Sequence, residues 1–454
     1  VRSTAGVARW IAICLVVVTA FVGTSAEAQR RLQFLRDAET EHIIREMSRP
    51  ILEAAAVDPE AVEFVLVNDS SLNAFVAGGQ NIFLHTGLLL HSDDPLQLLG
   101  VIAHETGHIA GGHLVRLRDA IEGASAQALL GMLLGVGAAL ATGDAGAAAA
   151  VGMGTAEMAR RNALSFNRTQ ESAADQAGLS YLERSGMSAR GMLDFLEYLA
   201  GQELRLRSGN VEYLRTHPLT RDRIDAVRFH VERSRFSDAP PRPDVVEGHR
   251  RIRAKLYAYL NPAGALRRYR EDDRSVVARY ARTYAHYRRT DIPRALEAVD
   301  GLIADEPDNP FFHELRGQML FENGRIAEAV PSLRRSVELM PRSALLQTSY
   351  AHALLEGGDP AGLDPAIRAL ETALSIEPRS PEAWRLTAVA WNRKGDAGRT
   401  AYATAEAALS RGDRAAAAHW AERALERLPA GSPAWLRAQD IRVAISNARA
   451  TEGR

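Results

Sequence analysis

The sequence predicts two folded units: an α+β domain, mostly helical with a small sheet, followed by an all-α solenoid of paired helices. Three observations carry this. Short β-branched, glycine-punctuated segments between residues 61 and 84 are mixed with helical stretches in the first half. A Pro- and charge-rich stretch, Ser237–Val246, then interrupts the chain. Beyond it, segments rich in Ala, Leu, Arg and Glu recur with a fixed period. A length of 454 residues exceeds what one ordinary core organises, in keeping with more than one domain. Lys and Arg number 55 against 56 Asp and Glu, a net charge of −1. Nothing in that balance points to nucleic acid as a partner.

Residues 1–28 read as a secretory signal peptide. Arg2 and Arg9 precede an apolar run from Trp10 to Val22, and Ala26-Glu27-Ala28 supplies small residues for cleavage before Gln29. The competing reading is an uncleaved anchor, although the run is short for a bilayer span. Cys14, the single cysteine, lies in this segment. The mature chain is therefore expected to lack thiols and disulfides and to hold its fold by packing, and by a metal where one binds.

In the first domain, assigned to residues 29–235, Ala61–Asn68 (AVEFVLVN) is a strand candidate. Ala74–Ala77 and Asn81–Leu84 flank Gly78-Gly79 and read as a hairpin. The chain is expected to turn helical from Pro95, and Leu96–Leu117 has apolar residues at helical spacing. Residues 123–157 are rich in Ala, Gly and Leu around Gly143-Asp144. Two readings stand for them: a hairpin that spans the membrane or touches it peripherally, since Ala124–Thr142 approaches spanning length, or a pair of helices buried against the domain.

Residues 236–270 are assigned to a linker and connecting helix, and 271–454 to the repeats. Ile292–Pro307 (IPRALEAVDGLIADEP) aligns with Ile326–Pro341 (IAEAVPSLRRSVELMP), which sets Pro307 and Pro341 34 residues apart, as are Gly324 and Gly358. Ile367–Pro378 and Ala415–Pro429 continue the pattern, for three repeats and a divergent fourth. Two helices per unit of 34 residues, closed by a Pro, is the tetratricopeptide signature. Such pairs stack into a solenoid whose concave face holds extended peptides or partner helices.

The chemistry is concentrated in His104-Glu105-Thr106-Gly107-His108. On a helix, positions i and i+4 share a face, so both imidazoles can aim at one Zn²⁺ at about 2.0–2.1 Å. Glu105 lies roughly 100° round the helix. There it can take a proton from a water and later return it to a leaving amine. A third ligand is needed. His113 is one residue short of the spacing at which a third histidine follows such a pair, since that position holds Leu114, so His113 reads as a helix-end residue. The better candidate is Glu171, with Asp175 one helical turn on to accept an imidazole N–H and orient a ring.

His104–His108, Glu171–Asp175 and Thr216-His217-Pro218 together resemble the gluzincin metallopeptidases, the group that includes the CAAX prenyl endopeptidases. With an export signal and C-terminal repeats, the chain is similar to the periplasmic β-barrel assembly-enhancing type. The resemblance implies a zincin-like fold, one zinc ion on His104, His108 and Glu171, and Glu105 as general base. Asp175 would support the ligands. His217 would sit near the metal, either stabilising the oxyanion or filling the fourth position in a self-inhibited state. Arg223 matches a further family position whose role the resemblance leaves open. The strands around Asn73–Leu84 match a segment on which related proteases pair with extended substrate. The implied activity is degradation of misfolded or stalled outer-membrane proteins in the periplasm, with the repeats contacting substrate or the outer-membrane assembly machinery. The rival expectation is a chaperone or scaffold acting through the repeats, with a metal domain of little turnover.

Overall fold

The computed structural model of the protein describes residues 33–113, 168–205, 213 and 217–452. The signal segment 1–28 and the apolar stretch 123–157 lie outside the described residues. Among the described residues, no helix is long and apolar enough to cross a membrane.

The first domain opens with a short strand β1 (Phe34–Leu35) and helix α1 (Ala38–Ala54), capped by the Asp37 side chain, which accepts from the Thr40 N–H. Ile44, Met47 and Ile51 fall on one face of α1 and are buried. Strands β2 (Phe64–Val67), β3 (Ala74–Ala77) and β4 (Asn81–His85) follow. The sheet order is β1-β2-β4-β3, with β2 parallel to β4 and the other pairs antiparallel. β3 and β4 form the hairpin expected from Gly78-Gly79, whose φ angles of +63° and +107° suit glycine. β3 is left at the sheet edge.

The chain turns helical before Pro95, in the short α2 (Thr86–His91). Helix α3 (Pro95–Ala110) carries the two-histidine motif and starts at Asp94, which accepts from the Leu96 N–H, with Pro95 in the first turn. The run expected to Leu117 is broken after Ala110, and residues 114–117 lie outside the described residues. The helix ends at Ala110, and Gly112 at φ +61° reverses the chain.

Helix α4 (168–184) crosses α3 with almost no side chain between them. A Cβ on Gly107 would lie 2.6 Å from the Ala174 carbonyl oxygen, and one on Gly178 would lie 3.1 Å from the Ala103 backbone. On a neighbouring stretch α3 meets α5 (Arg190–Arg205), where a Cβ on Gly100 would come within 2.7 Å of the Met192 Cα. Helix α6 (Arg221–Val231), capped by Thr220, completes the domain.

The Ser237–Val246 stretch is only partly a linker, because helix α7 (Pro243–Leu260) begins inside it. Val245, Ile252 and Leu256 of α7 are buried in the first core, whereas Ala254 and Ala258 join the core of the repeats. A buried polar knot joins the same parts. Glu39 of α1 is 2% exposed and receives Lys255 Nζ at 3.2 Å, Arg251 at 2.8 Å and the Tyr280 hydroxyl at 2.5 Å.

After the short α8 (Pro262–Arg268), ten further helices run to Glu452. They are α9 (Val276–Arg288), α10 (Ile292–Asp305), α11 (Pro310–Glu322), α12 (Ile326–Leu339), α13 (Ala344–Glu356), α14 (Leu363–Ile376), α15 (Pro381–Arg393), α16 (Ala397–Ser410), α17 (Arg414–Leu425) and α18 (Pro433–Glu452). Gly324, Gly358 and Gly395, all at positive φ, turn the chain within successive helix pairs. Ala415–Pro429 was expected as the second helix of a fourth repeat, and α17 does follow a glycine turn, at Gly412. Gly412 lies only half a period after Gly395, so α16 both closes one pair and opens the next. The repeat continues with its register slipped by one helix.

Because the Gly107 crossing leaves no room for a methyl group, Gly107→Ala is expected to lower stability by about 1–3 kcal/mol, the usual cost of overpacking. Urea unfolding followed by circular dichroism measures it. A midpoint equal to the parent's would show that the two helices tolerate separation.

Candidate metal centre

The close crossing of α3 and α4 has a direct chemical consequence. His104 and His108 stand one turn apart on α3, and Glu171 and Asp175 one turn apart on α4, with the two faces opposed. His104 Nε2 lies 3.1 Å from His108 Nε2, and each is 3.4 Å from a different oxygen of Glu171. His217, entering from the segment before α6, places Nδ1 3.2 Å from His104 Nε2 and 3.1 Å from Glu171 Oε2. One ligand atom from each of His104, His108, Glu171 and His217 lies within 4.8 Å of all the others, and all four residues are buried.

Three imidazole nitrogens and a carboxylate converging on one point suit a divalent ion such as zinc, cobalt or nickel. Brought so close, nitrogen lone pairs repel unless a proton or a cation lies between them. The Glu105 carboxylate supports the same reading: both its oxygens are buried without a hydrogen-bond partner, and Oε1 lies 3.4 Å from His217 Nε2. A buried carboxylate left so is costly unless something polar is meant to meet it.

The outer edges of the ligands are held. Asp175 Oδ1 takes His104 Nδ1 at 2.8 Å, so Asp175 orients His104, as its helical spacing from Glu171 led one to expect. Arg223 grips Asp175 with two bonds, Nε to Oδ2 at 2.6 Å and a terminal nitrogen to Oδ1 at 2.9 Å. Its other terminal nitrogen reaches Glu171 Oε2 at 3.0 Å and the Pro218 carbonyl at 2.8 Å.

A family model described as peptidase family M48 matches residues 35–230. A second family model, tetratricopeptide repeat, matches residues 280–344. The chain thus joins a metallopeptidase domain to repeats. It is 28% identical over 342 residues to the beta-barrel assembly-enhancing protease of Yersinia pestis, covering 73% of this chain and 68% of that protein. It is 30% identical over 314 residues to the protein of the same name from Escherichia coli K12, covering 65% of this chain and 61% of that one. The match to the latter spans less than two thirds of its length. Among solved structures, MamA MSR-1 C2 is 20% identical with a TM-score of 0.31, covering 36% of this chain and 95% of that one.

Within the region similar to family M48, the structure brings together the residues predicted as ligands, base and support: His104, Glu105, His108, Glu171, Asp175 and His217. Three others at the site were missed or undervalued. Arg223 had no stated role. Tyr213 stacks on the His217 ring at 4.5 Å and 27°, and its carbonyl accepts the His217 N–H at 2.7 Å. Its spacing of four from His217 was the one available sign. His113, read as a helix-end residue, is buried with its Nδ1 2.9 Å from His108 Nδ1.

Electrostatics follow the geometry. Burial disfavours a charge on His104, but its bonds to Asp175 and Glu171 outweigh this and raise it to about 10. Burial lowers His108. Burial opposes the Glu171 charge as well, yet the three histidines hold its carboxyl well below the usual range. Asp175 is likewise held low, by His104 and Arg223 against burial. A site of charged partners in a dry interior depends on each cation it contains.

Arg223→Ala is therefore expected to cost about 3–5 kcal/mol, as removal of one partner from a buried ion pair does. Arg223→Lys recovers little of it, since an ammonium cannot form the two-bond fork. Thermal unfolding of both variants checks this. An unfolding temperature unchanged in Arg223→Ala would show that Asp175 needs no counter-charge.

Proposed function

We propose that the protein is a zinc endopeptidase of the cell envelope that acts on misfolded or stalled outer-membrane proteins, and that its repeats bind substrate or the assembly machinery. The observation that carries this is the buried convergence of His104, His108 and Glu171 beside a Glu105 carboxylate with no hydrogen-bond partner. The name shared by the relatives supports the substrate class. A periplasmic location rests on the signal-like composition of residues 1–28.

In this reading His104, His108 and Glu171 would hold the ion, which when bound would supply Lewis acidity for the scissile carbonyl and lower the pKa of a water. Glu105 would act as the general base and acid, taking a proton from the attacking water and passing it to the leaving amine. Its burial excludes bulk water from the transfer and strengthens its electrostatic effect. An extended substrate would add to the β3 edge, Ala74–Ala77. His217 Nε2 lies 3.2 Å from the Ala74 carbonyl, so His217 stands between that edge and the ligands.

Of the two roles open to His217, its position favours the self-inhibited one. Nδ1 sits among the ligand atoms, and Tyr213 stacking holds the ring there. From that place it would complete the ligand set of a bound ion, and substrate would have to displace it.

The repeats contribute a cavity of about 470 Å³ facing the peptidase domain. Asp37 and Lys255 line it on one side and Tyr284, Tyr287, Glu314 and Phe321 on the other. Aromatic walls bearing carboxylates suit a segment of unfolded chain.

Glu105→Gln is expected to abolish casein cleavage while the purified protein keeps about one zinc per chain by metal analysis. Retained cleavage would remove the assignment, and full rescue of a deletion strain by this variant would favour a scaffold. His217→Ala is expected to keep its metal and cleave casein faster than the parent. A loss of turnover with metal retained would instead assign His217 to the oxyanion.

A further inference from the structure

The two histidines of the motif are supported differently. The outer nitrogen of His104 meets an anion, Asp175, itself fixed by Arg223. The outer nitrogen of His108 meets another imidazole: its Nδ1 lies 2.9 Å from Nδ1 of His113, with the rings 4.9 Å apart and nearly perpendicular. His113 is 6% exposed, too buried for a helix-end residue facing solvent.

The chain is shaped to make this contact. Gly112 at φ +61° turns the backbone back on α3. The His113 ring then folds over Gly111, where a Cβ would lie 2.5 Å from its Nε2. The His113 carbonyl accepts from the Gln170 side chain at 3.4 Å, which ties the turn to the residue preceding Glu171. One contact thus links the end of α3 to the start of α4 beside the ligands.

Proton counting gives the contact a function. The inward nitrogen of His108 is Nε2, which faces His104 Nε2 and Glu171. A neutral imidazole has one N–H, so Nε2 offers a lone pair only when the proton is on Nδ1. Two Nδ1 atoms at hydrogen-bond distance share one proton. If His108 donates it, His113 accepts and carries its own proton on Nε2. If His113 donates, His108 is driven to the tautomer with Nε2–H, which cannot ligate.

We propose that His113 is a positioning residue for the metal site, its Nδ1 accepting the Nδ1 proton of His108 and so committing the Nε2 lone pair to the ion. This rests on the reading that His104, His108 and Glu171 hold a metal. An imidazole acceptor here, in place of a second carboxylate like Asp175, orients the ring in a site that already buries Glu105, Glu171 and Asp175.

The test is zinc affinity, measured on the full chain by competition with a chromophoric chelator. His113→Ala is expected to bind zinc about 10–100-fold more weakly, the usual loss when such a partner is removed. His113→Asn, whose side-chain oxygen can accept from the same place, is expected to recover most of the affinity. Gly111→Ala keeps the imidazole but takes the space of its ring, and is expected to lose affinity as His113→Ala does. Nitrogen-15 NMR of the zinc-loaded parent, which needs no variant, is expected to show His113 protonated at Nε2 and bare at Nδ1. Affinity in His113→Ala equal to the parent's, or a proton on Nδ1 of His113, would overturn the role given to this residue alone. A parent protein that takes up no zinc would instead overturn the metal reading beneath it, and this proposal with it.

Discussion

The site depends on one steric fact: α3 and α4 cross with glycine at the points of contact. Gly107 lies against the Ala174 backbone, and Gly178 against Ala103. Side chains at those two positions would push the helices apart by the width of a methyl group or more. Glu171 would then no longer reach the histidines, because the present separations of 3.4 Å leave nothing to spare. The same closeness excludes water, so the groups it brings together act in a low-dielectric interior, where each charge needs its counter-charge.

That requirement explains the residues around the ligands. Arg223 touches both Asp175 and Glu171, and its fork sets Asp175 in the orientation that holds His104. His113 does a similar task for His108 with an imidazole in place of a carboxylate. Tyr213 stacks on the third histidine. Each imidazole therefore has a partner beside it, and the three partners differ in kind: a carboxylate, a second imidazole and an aromatic face.

The coupling between the halves of the molecule has the same character on a larger scale. Helix α7 contributes apolar residues to both cores, and the Glu39 knot joins α1, α7 and α9 through Arg251, Lys255 and Tyr280. Arg36, just before α1, reaches Glu377 at the end of α14 at 2.8 Å. The repeats thus curl back toward the peptidase domain, and the cavity between them is bounded by both.

The sequence by itself determined what local periodicity and spacing encode: the hairpin at Gly78-Gly79, the helical pairs of the repeats, and the shared faces of His104 with His108 and Glu171 with Asp175. Such patterns are legible because an i, i+4 pair is fixed by the geometry of one helix. It was poor at ends and registers. The early stop of α3 at Ala110, the start of α7 inside a Pro-rich stretch and the half-period slip at Gly412 each depend on a turn conformation or on packing against a distant element. Only the tertiary structure decided which outer groups meet which ligands. Arg223 and Tyr213 come from segments far along the chain from His104, and no spacing rule relates them. His113 lies outside the candidate ligand set, as its spacing implied, but its contact with His108 was not legible, because it depends on the turn at Gly112.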